Sequence, residues 1–160
     1  MLDAQQYAAI GKIAVGCSRI EYLMRYFAAH YVGAPEFGIA NSVIDKFAMF
    51  RPTKEAFERV LNAIASEYPA LQAKVQAVRA RLTEADKLAQ TRNILMHGLV
   101  EPDPITKKPT MYGRKPLSCD QTELDGLASE VTKLYDLFCD ECGALLEDLS
   151  DERAKLIKPI

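Results

Sequence analysis

The sequence has no long uninterrupted apolar run, because ionisable residues recur throughout its 160 residues. A membrane-spanning helix needs about 20 mostly apolar residues in succession, and no segment offers them. The opening residues, Met1 to Gln6, also lack the basic start and apolar stretch of a secretory signal. We therefore expect a cytoplasmic protein that does not associate with a membrane.

Cysteine is sparse, with four residues in a chain long enough to bury a sizeable core. Small secreted proteins that depend on disulfides contain a denser framework, so we expect reduced thiols. Cys139 and Cys142 form a CxxC pair, but no second pair follows at the spacing of a zinc site. We predict no bound metal and no cofactor.

Several catalytic motifs are also missing. The sequence contains no glycine-rich phosphate loop, no Gly-x-Ser-x-Gly turn and no His-Glu-x-x-His helix. P-loop nucleotide hydrolysis, serine hydrolase chemistry and zinc protease chemistry therefore have no support. The 20 basic and 22 acidic residues give a net charge of -2, so any contact with RNA must be local.

What the sequence does contain is helical periodicity. Apolar residues recur at steps of three and four from Asp3 to Tyr31, which predicts one long amphipathic helix. The apolar face of this helix consists of Tyr7, Ile10, Ile13, Cys17, Ile20, Met24, Phe27 and Tyr31. A short helix is predicted from Ile39 to Phe50, with a break at Arg51-Pro52 and Thr53 as the N-cap of the next helix.

The remaining elements follow from the same periodicity. Residues 54–67 predict a helix, and a turn near Tyr68 precedes residues 70–97. We expect one long helix from Ala70 to His97, with a kink at Thr83 as the alternative. Gly98 is expected to close this helix in a left-handed conformation. Residues 120–149 predict the last long helix.

The loop at residues 99–118 contains four of the eight prolines. Within it, Leu99-Val100-Glu101 and Thr110-Met111-Tyr112 are suited to pairing as a small β-hairpin. The predicted fold class is all-α, an antiparallel helical bundle. The bundle forms a single domain over residues 1–150, and residues 151–160 form a charged tail.

One cluster of residues has a chemical logic, namely Arg92, Asn93 and His97 near the end of the third long helix. With these residues the sequence resembles the HEPN family, whose signature is Arg, a polar residue that is often Asn, three further residues and His. The resemblance extends to the context, since the motif follows an apolar helical hairpin and precedes a final amphipathic helix. Outside the motif it is a resemblance of pattern.

The resemblance implies a metal-independent endoribonuclease. Asn93 and His97 are four residues apart and share a helical face, and the long side chain of Arg92 can reach round to them. Histidine exchanges protons near neutral pH, and arginine pairs with phosphate oxygens. In this family two copies of the motif meet at a homodimer interface, and the chain is often a toxin or defence effector with an antitoxin partner.

A structural interpretation of the same residues stays open. Arg92 would pair with an acidic residue such as Glu21, Asn93 would satisfy backbone groups, and His97 would interact with the carbonyl end of its helix. Glu21 on the first helix is either an orienting residue for the motif or a solvated surface glutamate. In some family members a modified tyrosine follows the histidine by two residues, but Leu99 occupies that position here.

Cations in the following loop are candidates for holding an RNA backbone, and one tyrosine is placed for base stacking. These residues are Lys107, Lys108, Tyr112, Arg114 and Lys115. A charge run in a proline-rich loop is also commonly just solvated. The leading functional hypothesis is an RNA-cleaving homodimer, and the alternative is a non-catalytic helical dimer that binds a protein or nucleotide partner.

Overall fold

The computed structural model describes residues 2–31, 50–113 and 115–156. In these residues the chain forms four α-helices, a short 3-10 helix and one small antiparallel sheet. The prediction of a mostly helical chain is therefore confirmed. The finer prediction, an antiparallel bundle of HEPN type, stays a prediction. The short helix expected from Ile39 lies outside the described residues, apart from its last position, Phe50.

Helix α1 spans Ala4–Tyr31 and begins with a reciprocal cap. The Asp3 carboxylate accepts hydrogen bonds from the backbone N–H groups of Gln5, at 2.8 Å, and Gln6, at 2.9 Å. The Gln6 side chain accepts one in return from the backbone N–H of Asp3, at 2.8 Å. These bonds satisfy amide groups that the start of a helix leaves without intrahelical partners.

Tyr7 does not belong to the buried face of α1, contrary to the sequence prediction, because 59% of it is exposed. Its neighbour Gln6 is buried instead, and the side chain of Gln6 donates a 2.7 Å hydrogen bond to the backbone oxygen of Cys119. One residue step turns a helix by about 100°. A buried Gln6 therefore rotates Tyr7 toward solvent.

Helix α2 spans Phe50–Glu67, so the predicted break at Arg51-Pro52 and the N-cap at Thr53 are wrong. Pro52 lies in the first turn, where a helix needs no amide donor, and Thr53 is buried inside the helix. The predicted turn follows at Tyr68, and a 3-10 helix, Pro69–Leu71, leads into the next α-helix.

Helix α3 spans Gln72–His97 without interruption, which confirms one long helix. Gly98 closes it through a hydrogen bond from its N–H to the oxygen of Ile94, at 2.7 Å. Its backbone is not in the left-handed region, so that expectation is wrong. Glycine is required here for space, because a Cβ atom would lie 2.6 Å from the Ile94 oxygen and would also overlap the side chain of Met111.

The three strands are β1 (Leu99–Pro102), β2 (Pro109–Tyr112) and β3 (Pro116–Ser118). Strands β1 and β2 pair antiparallel with Leu99 opposite Tyr112 and Glu101 opposite Thr110, so the predicted hairpin is confirmed. The sequence did not predict β3, which pairs with the other side of β2. Strand β2 is thus the central strand of the sheet.

Helix α4 spans Gln121–Leu156. Asp120 caps its start by accepting a 3.1 Å hydrogen bond from the N–H of Thr122. The helix continues past Ser150, so residues 151–156 of the expected tail are helical, and residues 157–160 lie outside the described residues. Arg153 in this extension donates a 2.9 Å hydrogen bond to the backbone oxygen of Tyr31, at the end of α1.

The chain divides into two compact units. The first consists of residues 1–19 and 84–135, which contain the sheet, the start of α1, the end of α3 and the start of α4. Its core joins residues from all four of these parts. The buried members are Leu2, Ala9, Ile10, Ile13, Cys17, Leu95, Met111, Cys119, Leu124 and Val131.

The second unit consists of residues 20–83 and 136–160. Three aromatic rings occupy its core, one each from α1, α2 and α4. The ring of Phe57 meets Phe27 edge to face at 5.2 Å between centroids, and Phe138 in the same manner at 5.8 Å. This geometry places the positive edge of one ring against the negative face of another.

All four cysteines are free. Cys17, Cys119 and Cys142 are buried, whereas Cys139 is half-buried. Burial raises the pKa of the Cys119 and Cys142 thiols above the ordinary value. None of the described helices combines the length and the apolar character needed to cross a membrane.

Candidate functional site

The last turns of α3 have one side packed into the first unit and one side exposed. Leu95 is buried in the core of this unit, and Ile94 packs against the same core. Asn93 and His97 are both exposed and lie four residues apart, which places them on one face of the helix. The packing of Leu95 therefore fixes the direction in which Asn93 and His97 project.

Asn93 and His97 line a common cleft of about 760 Å³, which we call the His97 cleft. The cleft lies within the first unit, between the end of α3 and the turn that joins β2 to β3. Its lining residues are Lys87, Gln90, Thr91, Asn93, Ile94, His97, Gly98, Gly113 and Lys115. The volume is in the range of clefts that bind small organic ligands, about 300–1,000 Å³.

The charge of the His97 cleft differs from that of the whole chain. Two lysines and a histidine line it, and none of the described lining residues carries a carboxylate. The chain as a whole has more acidic than basic residues, 22 against 20. Because like-charged side chains concentrate a potential within a cleft, the site favours an anionic ligand.

Gly113 sets the distance between the turn and α3. A Cβ atom at this position would lie 3.2 Å from two side-chain carbons of Ile94. The absence of a side chain therefore lets the β2–β3 turn approach the helix closely. Two residues further on, Lys115 reaches the cleft, whereas Arg114 lies outside the described residues.

Arg92 is not among the described lining residues of the cleft. It follows Leu88 by four residues and precedes Leu95 by three, so it shares the inward face of α3 with them. Arg92 is half-buried, its Nε atom is shielded from solvent, and it takes part in an interaction with other residues. Of the three motif residues, the structure thus brings only Asn93 and His97 together in the cleft.

The other predicted cations of the loop have structural roles. The Lys107 ammonium donates a 2.8 Å hydrogen bond to the backbone oxygen of Pro104. Lys108 forms a 2.9 Å ion pair with Asp120, and hydrogen bonding to that carboxylate raises the pKa of Lys108. Neither residue is among the described residues that line the His97 cleft.

The two remaining predicted residues are Tyr112 and Glu21. Tyr112 is half-buried in β2 opposite Leu99, and it is not one of the described lining residues. Glu21 is half-buried on α1 within the second unit and takes part in an interaction. Its orienting role stays a prediction.

Sequence analysis missed Lys87 and Gln90, which lie on α3 before the motif, and Gly113, which lies in the β2–β3 turn. The spacing of Lys87 and Gln90 indicates that they share a helical side with His97, because the three residues are separated by steps of three and seven. Those steps keep side chains on one side of a helix. Lys87 and Gln90 therefore continue the side of α3 that carries His97 toward the start of the helix.

Cys139 and Cys142 lie in α4, in the second unit. The described residues contain no group of three or more His, Cys, Asp or Glu side chains arranged to hold a metal ion. Comparison of the chain with protein-family models, with curated proteins and with solved structures gives no match.

Proposed function

We propose that this chain is an endoribonuclease of HEPN type that acts as a homodimer and cleaves RNA in the His97 cleft. The observation that carries the proposal is the charge of this cleft, where an exposed histidine and two lysines occur with no carboxylate among the described lining residues. A phosphodiester is an anion whose cleavage requires proton transfer. The two lysines of the cleft can pair with the anion, and His97 can transfer the proton.

In the proposed reaction the ribose 2'-oxygen attacks the adjacent phosphorus, and the bond from phosphorus to the 5'-oxygen breaks. His97 accepts the proton of the 2'-hydroxyl, and the leaving 5'-oxygen takes up a proton from the His97 of the second copy. The products are a 2',3'-cyclic phosphate and a 5'-hydroxyl. Asn93 orients the substrate or His97, and nearby cations stabilise the anionic transition state.

The proposed part of Arg92 in the reaction, stabilisation of the anionic transition state, follows from the resemblance alone. Arg92 is half-buried on the inward face of α3 and interacts with other residues of the chain, so replacing it also removes contacts within the fold. Its substitution therefore has to be accompanied by a measurement of folding. His97 and Asn93 provide the cleaner tests because both side chains are exposed.

The decisive experiment is cleavage of a labelled RNA pool in excess chelator, at a verified dimer concentration. We expect His97→Ala to reduce the rate by about 100-fold to 10,000-fold, the usual contribution of a general acid or base. His30→Ala is the matched control, because His30 is also exposed and also lies in the last turn of a helix. Product ends carrying cyclic phosphate would support attack by the 2'-oxygen.

A non-catalytic dimer is the second candidate, and it is favoured by two exposed apolar residues beside His97. Met96 is 50% exposed and Leu99 is 64% exposed, and adjacent apolar surface often marks a protein contact. This candidate predicts dimerisation that does not depend on His97. A folded dimer that leaves every RNA intact would exclude the nuclease and favour this binding module.

A further inference from the structure

The side of α3 that faces the His97 cleft continues well beyond the motif. Lys87 and Gln90 line the same cleft as His97. The ten residue steps from Lys87 to His97 correspond to a rise of about 15 Å along the helix axis. The cleft therefore extends along the helix and offers a second basic position far from the histidine.

Several lysines of the described chain are held in ion pairs, whereas Lys87 is not. Lys74, Lys108 and Lys155 each pair with a carboxylate, namely Asp148, Asp120 and Glu152. No ion pair engages Lys87 or Lys115 within residues 2–31, 50–113 and 115–156. No carboxylate of the described residues therefore neutralises either ammonium group, and both lysines line the cleft that an anionic ligand would enter.

Thr91 lies between Lys87 and His97 on α3 and also lines the cleft. Its hydroxyl donates a 3.2 Å hydrogen bond to the backbone oxygen of Lys87, one turn earlier. Gln90 keeps its amide available along the cleft, because no hydrogen bond of its side chain is recorded within the described chain.

We propose that Lys87 forms a distal phosphate subsite, so that the substrate is single-stranded RNA lying along α3 with one phosphate at Lys87 and the scissile phosphate at His97. This inference rests on the proposed function. Stacked nucleotides advance by about 3.4 Å each, so 15 Å corresponds to roughly four nucleotides. The cleft is lined by one helix and one turn, which suits the backbone of a single strand, whereas duplex RNA is recognised across its wide minor groove.

The test uses the full-length protein with His97→Ala, so that the RNA probe stays intact. Binding of a labelled oligouridylate, long enough to cover the cleft, is measured by anisotropy over a series of salt concentrations. We expect the additional Lys87→Gln substitution to reduce the slope of log affinity against log salt by about 0.7, the value for one phosphate contact on a single strand. Lys133→Gln is the matched control, because Lys133 is exposed on α4 and outside the cleft.

A second measurement compares substrates by length in the His97-containing protein. Lys87→Gln should lower kcat/KM at least threefold more for the oligouridylate than for a dinucleotide, which cannot span about 15 Å. A general loss of folding would affect both substrates alike. An unchanged salt slope for Lys87→Gln, or equal binding of a duplex of the same length, would overturn the subsite.

The failure of the subsite and the failure of the proposed function give different results. Cleavage that depends on His97, together with an unchanged salt slope for Lys87→Gln, rejects the subsite and keeps the nuclease. A reduced slope without any cleavage rejects the nuclease and keeps the single-stranded RNA site along α3.

Discussion

Gly98 joins the motif helix to the sheet, and its small size matters more than its backbone freedom. We expect Gly98→Ala to lower the free energy of unfolding by about 1–3 kcal/mol, the usual cost of forcing atoms into a packed site. The added carbon would meet the backbone oxygen of Ile94, at 2.6 Å, which cannot move aside without disturbing α3. Urea unfolding followed by circular dichroism measures the change.

A matched control for this substitution exists in α4. Gly126 lies inside that helix, is exposed, and has open space where a Cβ atom would stand. Gly126→Ala should therefore raise the free energy of unfolding by about 0.5–1 kcal/mol, because alanine is the better helix former. Equal effects of the two substitutions would contradict the packing described for Gly98.

At the scale of the element, Gln6 connects the start of α1 to the chain just before α4. Its side chain accepts a hydrogen bond from Asp3 and donates one to Cys119. Gln6→Ala would leave a buried carbonyl group and an amide without these partners, at a cost of about 1–3 kcal/mol. The free energy of unfolding of Gln5→Ala, an exposed neighbour, should change little in the same denaturation experiment.

The cap of α4 predicts a dependence of stability on pH. The hydrogen bond from Lys108, followed by that from the Thr122 N–H, holds the pKa of Asp120 below its ordinary value of 3.8. Because the folded-state pKa is the lower one, the stabilisation is present above about pH 4 and is lost as the pH falls through the folded-state pKa. Acid therefore weakens this end of the helix.

Asp120→Asn tests this dependence, since asparagine keeps an oxygen for the Thr122 N–H but loses the charge. We expect the variant to be less stable than the native chain at neutral pH, with a difference that shrinks as the pH falls below about 4. Urea midpoints at neutral pH and at about pH 3 give the comparison. A difference that stays constant between these two conditions would contradict the ion pair with Lys108.

The elements that sequence predicted well are those with a strong periodic or paired pattern. The alternating residues around Val100 and Met111 indicated the hairpin, and the apolar spacing indicated α3. Strand β3 has only three residues, beginning with a proline, and carries no periodicity to detect. The last turns of α4 were missed because their charged residues show no apolar face, although Arg153 fixes them to α1.

The candidate site was predictable from the sequence only in part. His97 and Asn93 belong to a short motif that is local in the sequence, but their cleft also depends on the β2–β3 turn, which begins at Gly113. Pairing of Lys108 with Asp120 could not be inferred from a run of lysines and prolines. Loop contacts of this kind depend on strand register, which places distant residues side by side.

At the scale of the whole molecule, the proposed function requires two copies of the chain. We expect Leu99→Glu to weaken self-association by about 10-fold to 100-fold, since burying one leucine contributes about 1.5–3 kcal/mol. Sedimentation equilibrium measures the change. Ile105→Glu is the matched control, because Ile105 is 88% exposed at the tip of the hairpin. The two variants should differ in dimerisation and agree in circular dichroism.

The free cysteines of the chain allow the free energy of local opening to be measured by thiol labelling. Cys17 and Cys119 are buried in the first unit, and Cys142 is buried in the second. A thiol reagent reaches such a group only during a transient opening, so its labelling rate measures the free energy of that opening. Chains that retain Cys119 alone or Cys142 alone would give this quantity for each unit separately. Equal values would mean that the units open together, and unequal values would identify the one that opens first.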